Sequence, residues 1–168
     1  MLNVIIQLPI GFIVALSGAL IPGPLLTYIV AKAPRSGKHV GPKAVLGHAL
    51  VEVALLILIL LGLGMLFQYK MFQAGMGVLG GSLLLTLGAL SIYRLRSNTR
   101  MERGTFIGYS PIIGGVVYSS VLNPTVPLWW ATIGFAMLMD AYAVGSLLGV
   151  TFWLVGHYLA DFGWFSLV

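Results

Sequence analysis

The stretch Ser17-Gly-Ala-Leu-Ile-Pro22-Gly-Pro24 decides how this chain folds, because it places two prolines inside a long apolar run. A second stretch, Ser119-Ser-Val-Leu-Asn123-Pro124-Thr-Val-Pro127, interrupts another apolar run in the other half of the chain. The two stretches share a register, in which the matched pairs are Ser17/Ser119, Leu20/Leu122 and Pro22/Pro124. Broken spans at corresponding positions of two halves are the best sequence indication of a transporter's substrate site. We therefore predict a membrane carrier.

The composition assigns the chain to the membrane. Of its 168 residues, 59% are hydrophobic and only 8% are charged, whereas a soluble domain carries about 25% charged residues. Apolar runs of roughly 20 residues or more can cross a bilayer, and we predict five such spans: 4–31, 44–67, 71–93, 110–137 and 143–168. The sequence thus predicts one all-α transmembrane domain over residues 1–168, a polytopic helix bundle with broken helices.

The basic residues indicate an orientation. The chain has nine Lys and Arg, and eight of them form two groups between spans: Lys32, Arg35, Lys38 and Lys43, then Arg94, Arg96, Arg100 and Arg103. Because basic loops face the cytoplasm, we expect the loops near 32–43 and 94–103 to be cytoplasmic. The N-terminus and the loops near Lys70 and Asp140 then face outward from a plasma or inner cell membrane. We expect contact with membrane lipid and none with nucleic acid.

In this topology the two breaks lie in spans of opposite direction, which predicts an inverted repeat. We assign residues 1–97 to the first repeat and 106–168 to the second. The second repeat has two spans against three, and the chain stops at Leu167-Val168 without a polar flank. We therefore expect a sixth span to be missing, as in a truncated gene product or a fragment.

The first break has the features of an anion site. Prolines within a helix remove backbone hydrogen bonds, Gly23 lets the chain turn, and Pro24 suits the first position of a new half-helix. The following amides would then be free to donate to a substrate carboxylate. Asn123 adds a donor and an acceptor from the second break. The predicted substrate-binding residues are Pro22, Gly23, Pro24, Leu25, Leu26, Thr27, Asn123 and Pro124. The alternative is a kink that only shapes packing.

Each half also carries a histidine and a carboxylate four residues apart, Gly47-His48-x-x-x-Glu52 and Gly156-His157-x-x-x-Asp161. This spacing places the two side chains on one helix face. Glu52 lies roughly 12 Å into the second span, where an ionisable group is a functional-site hypothesis by default. We predict that Glu52, tuned by His48, carries a proton or pairs with a cationic group of the substrate, with His157 and Asp161 as the second coupling pair.

Purely structural interpretations of these motifs remain open. The first is a neutral hydrogen bond between His and carboxylate that joins two helices. The second applies to Asp161, which lies near the predicted cytoplasmic end of the fifth span and could be a carboxylate at the membrane interface. Correspondence between the two motifs requires seven more residues in the second half, because His48 follows Pro22 more closely than His157 follows Pro124.

Other features are interpreted as structural. Gly77-x-x-x-Gly81 and Gly145-x-x-x-Gly149 allow close helix approach, as packing seams or as a dimer face of a homo-oligomer. The four tryptophans are predicted to be interfacial or core aromatics rather than a ligand cage: Trp129, Trp130, Trp153 and Trp164. The chain has no Cys, no nucleotide-binding loop and no Ser/His/Asp arrangement, so we predict neither an enzyme nor a bound cofactor.

With these motifs the chain resembles the LysE/RhtB family of amino-acid exporters. The similarity rests on Pro22-Gly23-Pro24 in the first span, on the spaced glycines Gly37-x-x-x-Gly41 and Gly47, and on Asn123-Pro124 in the fourth span. The resemblance implies a six-helix inverted-repeat carrier that exports small amino acids or related metabolites with the proton gradient. The chain departs from the pattern in Leu25, where many members have Asn, in Thr125, where many have Lys, and in the sixth span.

We interpret the chain as a secondary-active exporter of amino acids or closely related metabolites. The amides after Pro24 hold the substrate carboxylate with Asn123, while Glu52 and His48 couple transport to protons or bind the ammonium. One alternative is a divalent-cation exporter, in the wider superfamily that the resemblance implies, with His48, Glu52 and Asp161 as ligands and Asn123 beside them. Another is a membrane protein that transports nothing.

Overall fold

The computed structural model describes residues 1–62, 69–72, 74–75, 78, 81–82, 85–86, 89, 110–120 and 123–168. Regular structure in these ranges is entirely helical. The helices are α1 (Leu2–Ile5), α2 (Gln7–Ala19), α3 (Pro24–Ser36), α4 (Val40–Leu60), α5 (Pro111–Ser119), α6 (Thr125–Trp129), a π-helical turn (Trp130–Gly134) and α7 (Phe135–Leu167). The predicted span 71–93 lies largely outside the described residues, and the basic loop 94–103, with Arg94, Arg96, Arg100 and Arg103, lies wholly outside them, as do Gly77 and Leu122.

Within the described ranges, three helical segments are long and apolar enough to cross a membrane: Leu2–Ala19, Val40–Leu60 and Thr125–Leu167. In the 18-residue apolar stretch of each segment, between 22% and 33% of the residues are buried inside the protein, so most of this apolar surface faces outward. Such surfaces are stable against lipid and costly in water. The prediction of an all-α polytopic membrane protein is confirmed.

The segment Thr125–Leu167 comprises 43 residues, about twice what one crossing of a bilayer needs. It folds back on itself at Gly145 and Ser146, whose backbone is not helical; Ser146 has φ 52°. Gly149 then packs against the carbonyl of Ala141, across the turn. The predicted close approach is confirmed at both glycines, since Gly145 lies against Val4 and Gly149 against Ala141. The two glycines do not form one seam along a single helix, because the backbone at Gly145 is not helical. They close a helical hairpin instead.

Both predicted breaks are confirmed. Helix α2 ends at Ala19 and α3 begins at Pro24, while α5 ends at Ser119 and α6 begins at Thr125. Proline causes each interruption, since it cannot donate to the carbonyl one turn earlier. Each break leaves helix ends with unused backbone groups, which must find partners inside the protein or in a cavity.

Glycines bring the two halves of the chain into backbone contact. A side chain at Gly47 would meet the carbonyl of Ile112 on α5, and one at Gly156 would meet the carbonyl of Leu8 on α2. Each glycine directly precedes a motif histidine. Close packing at these points holds α4 against α5 and α7 against α2, and so fixes the depth at which His48 and His157 face the interior.

The first basic region differs from the prediction of a loop over 32–43. Helix α3 continues to Ser36 and α4 starts at Val40, so the connection is short. Lys32 lies on α3, is only 5% exposed, and has its Nζ 5.4 Å from the ring centroid of Tyr28. Burial of the aliphatic stem of a lysine beside an aromatic face is favourable, so Lys32 can lie on a helix. The sequence prediction assigned it to a loop because it is charged.

Candidate functional site

The two breaks meet in the interior. A Cβ at Gly23 would lie 3.3 Å from the side-chain nitrogen of Asn123, so the first break lies directly against the second. The backbone of Gly23 is extended, with φ −120° and ψ −179°, a conformation open to any residue. The prediction that Gly23 serves a turn is thus wrong. Its role is to let Asn123 approach.

The N-terminus of α3 carries the predicted donors, with one exception. Pro24 is the first residue of the helix, as predicted. In the described part of the chain, the amides of Leu25 and Leu26 have no hydrogen-bond acceptor. The Thr27 amide is not free, because it donates to the Gly23 carbonyl at 3.1 Å, and the Thr27 hydroxyl bonds the same oxygen. Two amides therefore remain for an anion instead of three.

Asn123 caps the half-helix that follows it. Its Oδ1 accepts from the Thr125 hydroxyl at 2.6 Å and from the Thr125 amide at 3.3 Å. Among the residues that the structure describes, its Nδ2 has no acceptor. The side chain is 5% exposed. Capping by Oδ1 thus orients an unused N–H donor toward the first break.

The two His-carboxylate motifs converge on one cluster, which consists of His48, Glu52, His157 and Asp161. The Nε2 of His157 lies 3.2 Å from both carboxylate oxygens of Glu52 and 3.3 Å from Oδ2 of Asp161. The Nε2 of His48 lies 3.2 Å from Glu52 Oε1 and 3.8 Å from Asp161 Oδ2. The Nε2 atom of each imidazole thus lies near two carboxylates contributed by different helices. We call these four residues the His-carboxylate cluster.

Asp161 belongs to the interior of the protein. The residue is 2% exposed and lies among the other members of the cluster. Packing of α7 against α4 brings Asp161 beside His48.

Tryptophans surround the cluster, and this was missed from sequence. Trp130 donates its indole N–H to Glu52 Oε1 at 2.8 Å. The imidazole of His157 is stacked on Trp153, with ring centroids 5.5 Å apart, and also contacts the rings of Trp129 and Trp130. In the sequence the adjacent Trp129-Trp130 pair does not distinguish a site from a core. The π-helical turn that begins at Trp130, a feature frequent at functional sites, is visible only in the structure.

A cavity of about 40 Å³ connects the breaks to the cluster. Of the residues predicted to bind substrate or couple transport, eight line it: Gly23, Leu25, Leu26, Asn123, His48, Glu52, His157 and Asp161. Four others do not: Pro22 and Thr27 are exposed, and Pro24 and Pro124 are buried behind the wall. Room for a water molecule takes at least about 10–15 Å³, so in this conformation the cavity accommodates about three waters.

A comparison with known protein families covers the residues of this site. The model of the LysE type translocator family matches residues 16–168, which include both breaks and the whole His-carboxylate cluster. The chain belongs to the LysE type translocator family. The family resemblance inferred from the motifs is thereby confirmed, and membership of this translocator family indicates a membrane exporter. No curated protein and no solved structure matches the chain.

Proposed function

We propose that this LysE type translocator is a secondary-active exporter of amino acids or closely related small metabolites, coupled to protons. One observation carries the proposal: a single cavity is lined both by residues with unused amide donors and by buried carboxylates. The amides of Leu25 and Leu26 with Asn123 provide donors for a carboxylate. The carboxylates of the cluster provide acceptors for an ammonium group. An α-amino acid carries both groups.

Coupling to protons would reside in the His-carboxylate cluster. Two imidazoles and two carboxylates together are neutral when they hold two dissociable protons between them. Loss or gain of one proton leaves a net charge in a buried site, which is costly unless another charge moves in compensation. A substrate that carries an ammonium group into the cavity can supply that compensation. Proton movement and substrate movement would then depend on each other.

The orientation proposed here follows the basic residues. The connection near Lys38 would face the cytoplasm and the Gly145–Ser146 turn would face outward, with the N-terminus also outside, in a plasma or inner cell membrane. Under this orientation α2 and α5 run in opposite directions, and residues 1–97 and 106–168 form inverted repeats. Support for the repeat comes from the reciprocal packing of Gly47 on α5 and Gly156 on α2.

Replacement of Glu52 tests the coupling. Glu52→Gln keeps the size of the side chain and an oxygen that accepts from Trp130, but the amide cannot bind and release a proton. We expect flux driven by an imposed pH gradient to be abolished in proteoliposomes, while exchange of labelled for unlabelled substrate continues. Asp140→Asn, at an exposed position of α7, is the matched control. Undiminished pH-driven flux in the Glu52 variant would refute the coupling role.

A second candidate cargo is a divalent cation. Ligand atoms of His48, Glu52 and Asp161 all lie within 4.8 Å of one another. Carboxylate oxygen and imidazole nitrogen together suit Zn²⁺ and related divalent ions. In this alternative the apolar side of the cavity and the α3 amides have no role, which is why the amino-acid proposal takes precedence. Flux of Mn²⁺, Zn²⁺ or Cd²⁺ under a pH gradient, without amino-acid flux, would reverse that order.

A further inference from the structure

Glu52 and Asp161 differ in what they already bind. Glu52 accepts a hydrogen bond from Trp130 and lies 3.2 Å from the Nε2 atoms of both histidines. Asp161 lies near the same two nitrogens, at 3.3 and 3.8 Å, yet its Oδ2 has no hydrogen-bond donor in the described part of the chain. Glu52 therefore has more hydrogen-bond partners than Asp161, and Asp161 is the carboxylate that can still accept a hydrogen bond from a ligand.

Asn123 provides the complementary free donor. Its Oδ1 is used by Thr125, while its Nδ2 lies against Gly23 without an acceptor among the described residues. Asn123 and Asp161 are both more than nine-tenths buried and both line the cavity. A buried polar atom without a partner, as at Asp161 Oδ2, is costly. Because it shares one cavity with the donor of Asn123, the two groups indicate a ligand that supplies a donor to Asp161 and an acceptor to Asn123.

The rest of the described lining carries no charge. Small residues of α2 form one wall, namely Ala15, Gly18 and Ala19, and the other side chains outside the cluster are apolar or, at Thr125, a hydroxyl. Lys32 is buried but lies over the Tyr28 ring and does not line the cavity. A charged side chain that faces this wall, away from the His-carboxylate cluster, would thus have no opposite charge beside it, and the small cavity volume leaves little length for one.

We propose that the cargo is a net-neutral zwitterion with a short apolar side chain, bound by its ammonium group at Asp161 and by its carboxylate at Asn123. The inference rests on the proposed function and narrows it to glycine-like and alanine-like amino acids. Glu52 then orients the cluster and does not itself hold the ammonium. Lysine and glutamate are excluded, because each would bring a second charge into a wall of Ala15, Gly18 and Ala19.

A competition experiment tests the substrate class. In proteoliposomes loaded with unlabelled alanine, uptake of labelled alanine by counterflow is measured against excess glycine, alanine, lysine or glutamate. We expect glycine and alanine to compete, and lysine and glutamate to compete at least tenfold more weakly, because an unpaired charge costs more than about 1.4 kcal/mol, which is tenfold in affinity. Equal competition by lysine would overturn the inference while leaving amino-acid export intact. Absence of counterflow when the liposomes are loaded with each of the four amino acids in turn and supplied with its labelled form would overturn both proposals.

A second experiment tests whether the α2 wall of the cavity lies beside the side chain of the substrate. A Cβ at Gly18 would lie 3.3 Å from the indole of Trp129, so Gly18→Ala narrows the cavity. We expect this variant to shift the preference toward glycine over alanine by several-fold. Gly163→Ala, where an added Cβ meets nothing within 4 Å, should leave the preference unchanged. An unaltered glycine-to-alanine ratio in the Gly18 variant would contradict a side-chain pocket at this wall.

Two fragments of alanine test the ammonium site and the carboxylate site separately. Propionate carries only the carboxylate and ethylamine only the ammonium group, and each can be titrated against the purified protein by its effect on thermal unfolding. Asp161→Asn should weaken ethylamine binding about tenfold or more and spare propionate, since hydrogen bonds to charged groups contribute about 1.5–3 kcal/mol. Asn123→Asp, which keeps the capping oxygen, should do the opposite. Loss of both fragments in both variants would indicate a purely structural role and sink the assignment.

Discussion

Glu52 is held in place by three neighbours from three parts of the chain. Its own helix contributes His48, α7 contributes His157, and Trp130 begins the π-helical turn. A buried carboxylate is tolerated only when its acceptors are paired. The shortest of these contacts is the 2.8 Å bond from Trp130, which gives an uncharged residue a direct effect on the position of the charge.

Replacement of Trp130 by Phe should therefore impair transport. The variant keeps an aromatic ring but removes the donor to Glu52, at a cost of about 1.5–3 kcal/mol, and we expect kcat/KM to fall about tenfold or more. Trp153→Phe is the matched control, because that indole is equally buried and stacks on His157, but its N–H has no acceptor among the described residues. Equal losses in the two variants would show that packing, and not the hydrogen bond, matters.

At the residue scale, the sequence indicated part of the site. The four-residue spacing of His48 and Glu52 predicted their contact, because helical geometry alone brings such pairs together. Contact between Glu52 and His157 depends on the packing of α4 against α7 and could not be derived from spacing. The role of Trp130 was hidden as well, since a tryptophan in an apolar run has the same pattern whether it fills the core or bonds a carboxylate.

At the scale of elements, the two half-helix ends are the functional parts of the fold. Helix α3 starts at Pro24 with two amides available, and α6 starts beside Asn123, whose side chain lies against Gly23. The two breaks thus contribute hydrogen-bonding groups to the same site. The interruptions were predictable because proline acts locally on its own helix. The turn at Gly145 and Ser146 was not placed correctly, because no proline marks it and the surrounding residues are as apolar as a span.

Straightening the first break should remove the carboxylate site. Proline disfavours a helix interior by about 3 kcal/mol relative to alanine, so Pro22→Ala combined with Pro24→Ala favours a continuous helix through 20–23. The amides of Leu25 and Leu26 would then bond within the helix. We expect propionate to lose its stabilising effect on thermal unfolding, while the protein itself unfolds at an unchanged or higher temperature. Propionate binding with wild-type affinity would show that the half-helix is not the site.

At the scale of the whole molecule, the basic residues predict an orientation in the membrane. Since the natural chain contains no Cys, single cysteines can be labelled without background. We expect Lys38→Cys to react with a membrane-impermeant thiol reagent only after cells are permeabilised, and Asp140→Cys to react in intact cells. Both positions are exposed. The reverse pattern would contradict the proposed topology.

Flux through the reconstituted protein tests the central claim most directly. Proteoliposomes with an imposed pH gradient should be supplied in parallel with labelled alanine and with Mn²⁺, Zn²⁺ or Cd²⁺, using the wild-type chain and Glu52→Gln. We predict saturable alanine flux that follows the pH gradient in the wild type and loses that dependence in the variant. Metal flux without alanine flux would contradict the amino-acid exporter and assign the His-carboxylate cluster to a cation instead.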